Sequence, residues 1–426
     1  VFIPAGPMPS GLPNDEKTKI SQLYMEGKVG RAELLEAESK SYHSAGTCTF
    51  YGTANSNQML MEIMGLHLPG ASFVNPNTPL RDALTREATK RALSLSAQGN
   101  NYTPIGHIMD EKAFVNGLVG LHATGGSTNH LIHLVAIARS AGIVLTWQDF
   151  AELSQVVPLL ARIYPNGPAD VNQFHAAGGL AFVIRELLDG GLLHPDVRTI
   201  AGDLRSYAQE PWLKDGALAF RDAPAESLDE TILRPLSNPF EATGGLTVVS
   251  GNLGQAVVKI SAVAEKHQTI RAPARLFHDV EGVQQAYREG ALQGDHVIVL
   301  RFQGPRANGM PELHALMPVL GLMQDRGQRV ALLSDGRLSG ASGKILSAIH
   351  LTPEAAEDGP LARLQDGDIV TIDSKRGVLH LEAADWESRP AARSPHSEAT
   401  LDLGRQLFGA FRDCIGAPTD GASVLV

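Results

Sequence analysis

Cysteine is almost absent from this sequence. Two thiols, Cys48 and Cys414, stand among 426 residues, which excludes a disulfide scaffold and fits a reducing cytoplasmic setting. Long apolar runs are missing too. No stretch approaches the ~18 residues that a membrane span requires. There is no charged n-region, apolar h-region or cleavage site of a signal peptide. Positive charge is in deficit: 36 Lys and Arg face 46 Asp and Glu, a formal net charge of −10. Without a basic tract, neither a nucleic acid nor an anionic membrane is the expected partner. Common active-site signatures are lacking as well. The chain has no G-x-G-x-x-G, no G-x-x-x-x-G-K-[ST], no G-x-S-x-G and no H-E-x-x-H.

What is present suits a multidomain globular protein. Hydrophobic residues reach 43%, enough for a large core, and the length predicts two or three domains. The 43 glycines and 25 prolines promise many loops without low complexity. No repeat of 20–50 residues is visible. The first residue is Val1, not Met, and Val1-Phe2-Ile3-Pro4 reads as the end of a buried strand. The chain is therefore expected to begin inside a domain.

Helical spacing of apolar residues predicts helices over 15–28 and 31–42. Thr78-Pro79 followed by Leu80, Leu84 and Ala88 reads as an N-cap, a first-turn proline and an apolar face. Residues 128–141 predict a buried helix, and 174–188 a helix interrupted at Gly178-Gly179. Weak periodicity over 201–238 reads as a connection between domains. Beyond it, short apolar runs at 246–249, 297–302, 330–333, 369–372 and 378–381 carry the strand signature. Helical stretches at 280–289 and 311–322 lie between some of them. The expected class is α/β: an α/β domain over 1–215, then a strand-rich, barrel-like α/β domain over 216–395, then a C-terminal helix and tail over 396–426.

Four glycine-rich polar segments stand out. Gly46-Thr47-Cys48-Thr49-Phe50-Tyr51-Gly52-Thr53-Ala54-Asn55 places a cysteine between glycines before a helix. That suits a thiolate ligand for a metal or cluster, and equally a small buried cysteine in a loop. Ala123-Thr124-Gly125-Gly126-Ser127-Thr128-Asn129 opens the buried helix. Its N–H groups and hydroxyls suit an anion, or serve as an ordinary N-cap. Gly304 to Glu312 follows a strand and is expected to start a helix at Pro311. Glu312 then either complements the helix dipole or faces a hard cation such as Mg²⁺. Ser334-Asp335-Gly336-Arg337-Leu338-Ser339-Gly340-Ala341-Ser342-Gly343-Lys344 follows another strand and reads as an anion nest with an exposed hydroxyl, or as a long surface loop. His130 and His133, three residues apart, are expected to be core or surface residues and not a metal pair. Cys414 is expected to be a thiol without special chemistry.

Together the four segments resemble the dihydroxy-acid and phosphogluconate dehydratase family. G-T-C-x-x-x-G-T-A-N, G-G-S-T-N, G-M-P-E and D-G-R-x-S-G recur at these relative positions, and the likeness runs over essentially the whole chain. Three further stretches point to the branch that handles a phosphorylated sugar acid: 6–14, Thr49-Phe50-Tyr51 and 164–172. The resemblance implies a three-layer α/β/α first domain, incomplete here, a swivelling β-barrel-like second domain with the active site between them, and a cytoplasmic homodimer.

It also implies a reaction: loss of water from 6-phospho-D-gluconate to give 2-dehydro-3-deoxy-6-phosphogluconate, in the Entner–Doudoroff route. A proton α to a carboxylate is weakly acidic and a β-hydroxyl leaves poorly. Such a reaction needs a base, a cation on the enediolate-like state and a Lewis acid on the departing hydroxyl. By resemblance, Cys48 is one ligand of an iron–sulfur cluster, expected to be 4Fe–4S, and Glu312 is a Mg²⁺ ligand. Ser339 is the base. Gly125, Gly126, Ser127, Thr128 and Asn129 hold substrate with Ser342, and Arg337 and Lys344 are anion contacts. The family's other cluster cysteines and Mg²⁺ ligands lie in segments upstream of the Val-Phe-Ile-Pro stretch. One cysteine cannot hold a cluster, so these 426 residues alone are expected to be apo and inactive. The open alternatives are a sister dehydratase for dihydroxy-methyl acids or unphosphorylated aldonic acids, and a non-catalytic scaffold of the same fold.

Overall fold

A computed structural model describes residues 1–340, 342–395 and 407–425. Its first part is built from helices: α1 (Asn14–Met25), α2 (Arg31–Ser41), α3 (Thr53–Ile63), α4 (Pro79–Leu95), α5 (Glu111–Thr124), α6 (His130–Ser140), α7 (Trp147–Val156), α8 (Val171–Ala176) and α9 (Gly179–Asp189). The local signals explain their boundaries. Thr78 caps α4 by accepting the Arg81 N–H at 3.2 Å, with Pro79 in the first turn. The break between α8 and α9 falls at Gly178 and Gly179, both at positive φ, as the glycine pair predicted. Helix α5 buries almost every side chain and α6 buries one face, with His133, Ile137 and Ser140 exposed; with α3 and α9 they form one continuous apolar core.

Of the expected three-layer first domain, these residues supply the helices. No strand among the described residues precedes β1. Residues Val1, Phe2 and Ile3 are exposed and are not part of a strand, contrary to the reading of a buried strand end. The stretch read as a plain connection contains a hairpin, β1 (Gln209–Lys214) with β2 (Ala217–Asp222). It turns at Asp215-Gly216, where both residues adopt positive φ.

The second part is a closed barrel of β3 (Leu246–Gly251), β4 (Gly254–Lys259), β5 (Thr269–Phe277), β6 (His296–Leu300), β7 (Val330–Ser334), β8 (Leu346–Thr352), β9 (Ile369–Asp373) and β10 (Val378–Leu381). The order around it is β10-β3-β4-β8-β7-β6-β5-β9. Strands β5 to β8 run parallel to their neighbours in the β5-β6-β7-β8 series, and β3–β4, β4–β8, β5–β9 and β9–β10 pair antiparallel. The central parallel strands β6 and β7 are apolar on both faces, since the interior core lies on one side and helices on the other. Those helices are α10 (Val280–Arg288) and α12 (Met317–Asp325), with the short α11 (Pro305–Asn308) between them.

The helix expected to start at Pro311 starts later, at Met317, after a 3₁₀ turn at His314–Leu316. Glu312 is thus not in a first helical turn, and the helix-dipole reading of it falls. The C-terminal helix expected within 396–426 lies partly outside the described residues, and within them α13 (Gly409–Cys414) is seen. Among the described residues no helix is long and apolar enough to cross a membrane.

Candidate active site

Three of the four glycine-rich segments meet at one point. A Cβ added to Gly340 would stand 2.7 Å from the Cβ and Oγ of Ser127 and 3.1 Å from the Gly52 Cα. Gly340 therefore lets the loop after β7 press against the α5–α6 turn and the cysteine loop at once.

Each segment is fixed from within. In the cysteine loop, Asn55 is fully buried, and its Nδ2 donates to the carbonyls of Cys48 and Phe50, both at 2.6 Å. Its Oδ1 accepts from Thr47 Oγ1 at 2.8 Å and from Gln58 Nε2 at 2.9 Å. Gly46 sits at φ +122°, where an added Cβ would meet the Met8 amide nitrogen at 2.4 Å. The Cys48 thiol is pushed up mainly by burial. The Phe50 N–H and the Lys17 ammonium pull it the other way.

In the α5–α6 turn, Gly125 closes α5 in the left-handed conformation. The Gly125 and Gly126 amides donate to the carbonyls of His122 and Leu121, and the Ser127 N–H donates to Ser56 Oγ. These N–H groups are taken up inside the protein, so the segment is not an open anion nest. Its side chains do the presenting. Ser127 Oγ and Thr53 Oγ1 lie 2.9 Å apart, and Asn129 Nδ2 donates to Thr53 Oγ1 at 2.9 Å and to the Leu338 carbonyl at 3.2 Å. Asn129 thus ties the helical part to the barrel loop. His130 is buried against Ser56 Oγ at 2.8 Å, as a core histidine should be.

On the barrel side, Asp335 anchors the loop. Its carboxylate accepts N–H bonds from Phe302 at 3.1 Å, Gln303 at 2.9 Å and Ala355 at 3.0 Å. Burial nevertheless pushes its pKa up to about 6. Glu312 forms an isolated parallel bridge with Arg337. Its Oε2 accepts from Arg337 Nη1 at 2.8 Å, and its Oε1 accepts the N–H groups of Ser339 at 2.8 Å and His314 at 2.9 Å. Both oxygens have protein partners here, so a metal ion at Glu312 would have to displace the Arg337 contact or bind along the remaining lone pairs.

Thr128, Ser339, Ser342 and Lys259 line a small space of about 10 Å³. Lys259 ends β4 and is buried, with Nζ donating to the Gly340 carbonyl at 3.1 Å. Burial lowers its ammonium to about 7, so a proton can leave it near neutrality. Sequence reading missed this residue because it missed β4. The available signal was a lone charge closing the apolar run Ala256-Val257-Val258.

The structure therefore gathers Ser127, Thr128, Asn129, Glu312, Arg337, Ser339 and Ser342. Lys344 does not join them; it points the other way, its Nζ 5.1 Å from the Tyr164 ring centroid. Cys414 is exposed and remote in sequence from every segment above, with Sγ against the Ala410 carbonyl. Among the described residues no group of three or more His, Cys, Asp or Glu side chains could hold a metal ion. Cys48, whose loop reaches the junction through Gly52, and Glu312 fit cofactor binding as single ligands and not as a closed set.

The helical part and the closed barrel meet at a serine-bearing loop, with the buried Lys259 on its Gly340 carbonyl and the Glu312 carboxylate on its Ser339 N–H. Comparison with known proteins gives the family. The N-terminal model of the dihydroxy-acid/6-phosphogluconate dehydratases matches residues 1–207 and the C-terminal model residues 231–422. The phosphogluconate dehydratase of Rhizobium meliloti is 62% identical over 429 residues, covering 100% of this chain and 71% of that protein. That of Pseudomonas aeruginosa is 59% identical, over 99% of this chain and 70% of that protein. A dihydroxy-acid dehydratase of Sulfurisphaera tokodaii is 34% identical over 87% of this chain and 63% of that protein. The chain belongs to the dihydroxy-acid/6-phosphogluconate dehydratase family.

Proposed function

We propose that this protein is a hydro-lyase converting 6-phospho-D-gluconate to 2-dehydro-3-deoxy-6-phospho-D-gluconate. The observation that supports it is the identity with phosphogluconate dehydratases of several bacteria over essentially the whole chain, well above that with a dihydroxy-acid dehydratase. In the reaction the C2 proton passes to a base, the C3 hydroxyl leaves as water, and the enol formed takes a proton at C3 to become the keto acid.

Ser339 is the proposed base. Its loop is held by the Glu312 carboxylate on its own N–H and by Lys259 on the next carbonyl. The neighbouring lysine favours a deprotonated hydroxyl electrostatically and can hold or release a proton near neutral pH. Ser127, Thr128, Asn129 and Ser342 offer hydroxyl and amide groups to the sugar-acid hydroxyls, while Gly125 and Gly126 shape the turn that carries them. Arg337, beside Glu312, is the proposed contact for the carboxylate end of the substrate.

Cys48 would give one thiolate to an iron–sulfur cluster and Glu312 one carboxylate oxygen to Mg²⁺. When bound, those groups supply a Lewis acid for the departing hydroxyl and positive charge for the enediolate. A cytoplasmic setting is supported by free cysteines without a disulfide. The homodimer rests on the resemblance alone, and sedimentation would test it.

The test of function is an assay of the holoenzyme with 6-phosphogluconate, gluconate and a 2,3-dihydroxy-3-methyl acid, following keto-acid formation. Turnover confined to 6-phosphogluconate is expected. Preference for either other acid would overturn the reading.

A further inference from the structure

A cavity larger than the one that holds Ser339 lies beside its loop. A space of about 520 Å³ opens between α1, α12 and residues 342–345. It shares Ser342, Gly343 and Ile345 with the small space around Ser339 and Lys259. The loop thus has one side toward the reacting groups and another toward this cavity.

Two ammonium groups lie at one end of it. Lys17 Nζ stands 4.0 Å from the Tyr42 ring centroid and 5.4 Å from that of Phe50, and donates to Tyr42 Oη at 2.7 Å. Lys344 Nζ lies over Tyr164, and among the described residues it makes no hydrogen bond or ion pair. Phe50 and Tyr164 are themselves in contact, centroids 5.6 Å apart, so the two lysines flank one aromatic pair. Aromatic faces hold ammonium groups in place while leaving N–H donors free. Thr18 Oγ1 and Tyr164 Oη, 2.9 Å apart, add hydroxyls at the same end, and Ser342 Oγ adds another where it meets His314 Nδ1. The cavity also has carboxylates. Asp325 is engaged by Gln22 Nε2 at 3.1 Å, and Glu38 and Asp15 stand on the α1–α2 side. Glu38 acts on Lys17 and Tyr42, and Asp15 on Tyr164, so an anion at the aromatic end is held by the two ammonium groups against these charges, with Lys19 also lining the cavity.

We infer that this end of the cavity binds the phosphate of the substrate, with Lys17 and Lys344 as its cationic clamp. The inference rests on the reading above of a phosphorylated sugar acid as substrate, and it assigns the group that reading left without a site. An acid with its C2 and C3 at Ser339 would reach the cavity past the shared Ser342 and Gly343, with its phosphorylated end between the two lysines. It also gives a physical role to Phe50 and Tyr164, which lie in two of the stretches that set this sequence apart within the family.

The test is equilibrium binding of 6-phosphogluconate and gluconate to the 426-residue chain by calorimetry. The wild type is expected to bind the phosphorylated acid more tightly. Lys17→Met and Lys344→Met should each weaken 6-phosphogluconate by about ten- to hundred-fold, the usual worth of a charged hydrogen bond, and leave gluconate unchanged. Lys17→Arg should restore much of the loss, and Lys40→Met, on the exposed side of α2, should have no effect. Thermal unfolding of each variant separates a binding loss from a folding loss. If the wild type shows no preference for the phosphorylated acid, the substrate reading fails and this one with it. If the preference exists and survives in both lysine variants, the subsite alone is overturned.

Discussion

The Glu312 carboxylate accepts the backbone N–H of Ser339 at 2.8 Å. One acidic side chain from the segment after β6 thereby fixes the position of the proposed base on the segment after β7. The same carboxylate holds Arg337, two residues earlier. A single side chain thus sets the geometry of the loop and supplies negative charge beside it.

Glu312→Gln separates the two duties. The amide keeps an acceptor oxygen for the Ser339 N–H but loses the charge. The Arg337 pair is more than a third exposed on both sides, and such pairs contribute about 0–1 kcal/mol. The melting temperature should move by only a few degrees while kcat falls at least about 100-fold, the scale of losing one charge-stabilising group. A kcat within about threefold of wild type would remove Glu312 from the machinery.

Ser339→Ala in the holoenzyme should lower kcat by roughly 10²–10⁴-fold, the range for a general base. Stability and the visible absorbance of the loaded protein should be unchanged. Retained turnover would show that another group takes the proton.

Gly340→Ala is expected to damage the site without unfolding either domain. Its new methyl group meets Ser127 at 2.7 Å and the Gly52 backbone at 3.1 Å. The loop must retreat, at about 1–3 kcal/mol for overpacking. Activity should fall at least about tenfold with a modest drop in melting temperature. Wild-type activity would mean that the contact of the three segments is not needed.

Lys259 predicts a pH dependence. Its folded pKa, about 7, lies below the ordinary 10.5. Between those values the unfolded chain holds a proton that the folded chain has released, so this group's contribution makes stability rise with pH. Below about pH 7 both states are protonated and the burial cost is constant. Lys259→Met removes that cost, so its stability relative to wild type should decline as pH rises from 7 to 9. Denaturant titrations at pH 7, 8 and 9 check this, and a pH-independent difference would refute the shift.

Asp335→Asn tests the anchor of the loop. The carboxylate faces three N–H donors. An asparagine offers one oxygen and turns an NH₂ toward a donor, leaving at least one buried N–H unsatisfied. The expected loss is about 1–3 kcal/mol, read by denaturant titration of the variant.

Much of the fold was legible because the signals are local. The Thr78-Pro79 cap, the break at Gly178-Gly179 and the apolar strands β6 and β7 depend on residues adjacent in the chain. Strands β4, β5 and β8 were not legible: β4 is a run of only three apolar residues closed by Lys259, β5 alternates but carries Pro273 at its centre, which argues against a strand, and β8 runs Leu346-Ser347-Ala348-Ile349-His350 with polar groups buried by tertiary contacts. The hairpin β1–β2 was hidden for a similar reason, since its strands are largely half-exposed.

The sequence by itself determined the family, the motifs and the serine loop, because each is a run of neighbouring residues whose types are needed together. Its two cysteines excluded a disulfide framework on composition alone. Only the tertiary structure decided which motif groups face a ligand. It turned the Gly125 and Gly126 amides inward, where helix capping satisfies them. It brought Lys259 behind Ser339 from 80 residues away in the chain, and it set Lys17 and Lys344 on one pair of aromatic rings. Those juxtapositions arise from closing the barrel against the helices, a contact between segments that no local pattern encodes.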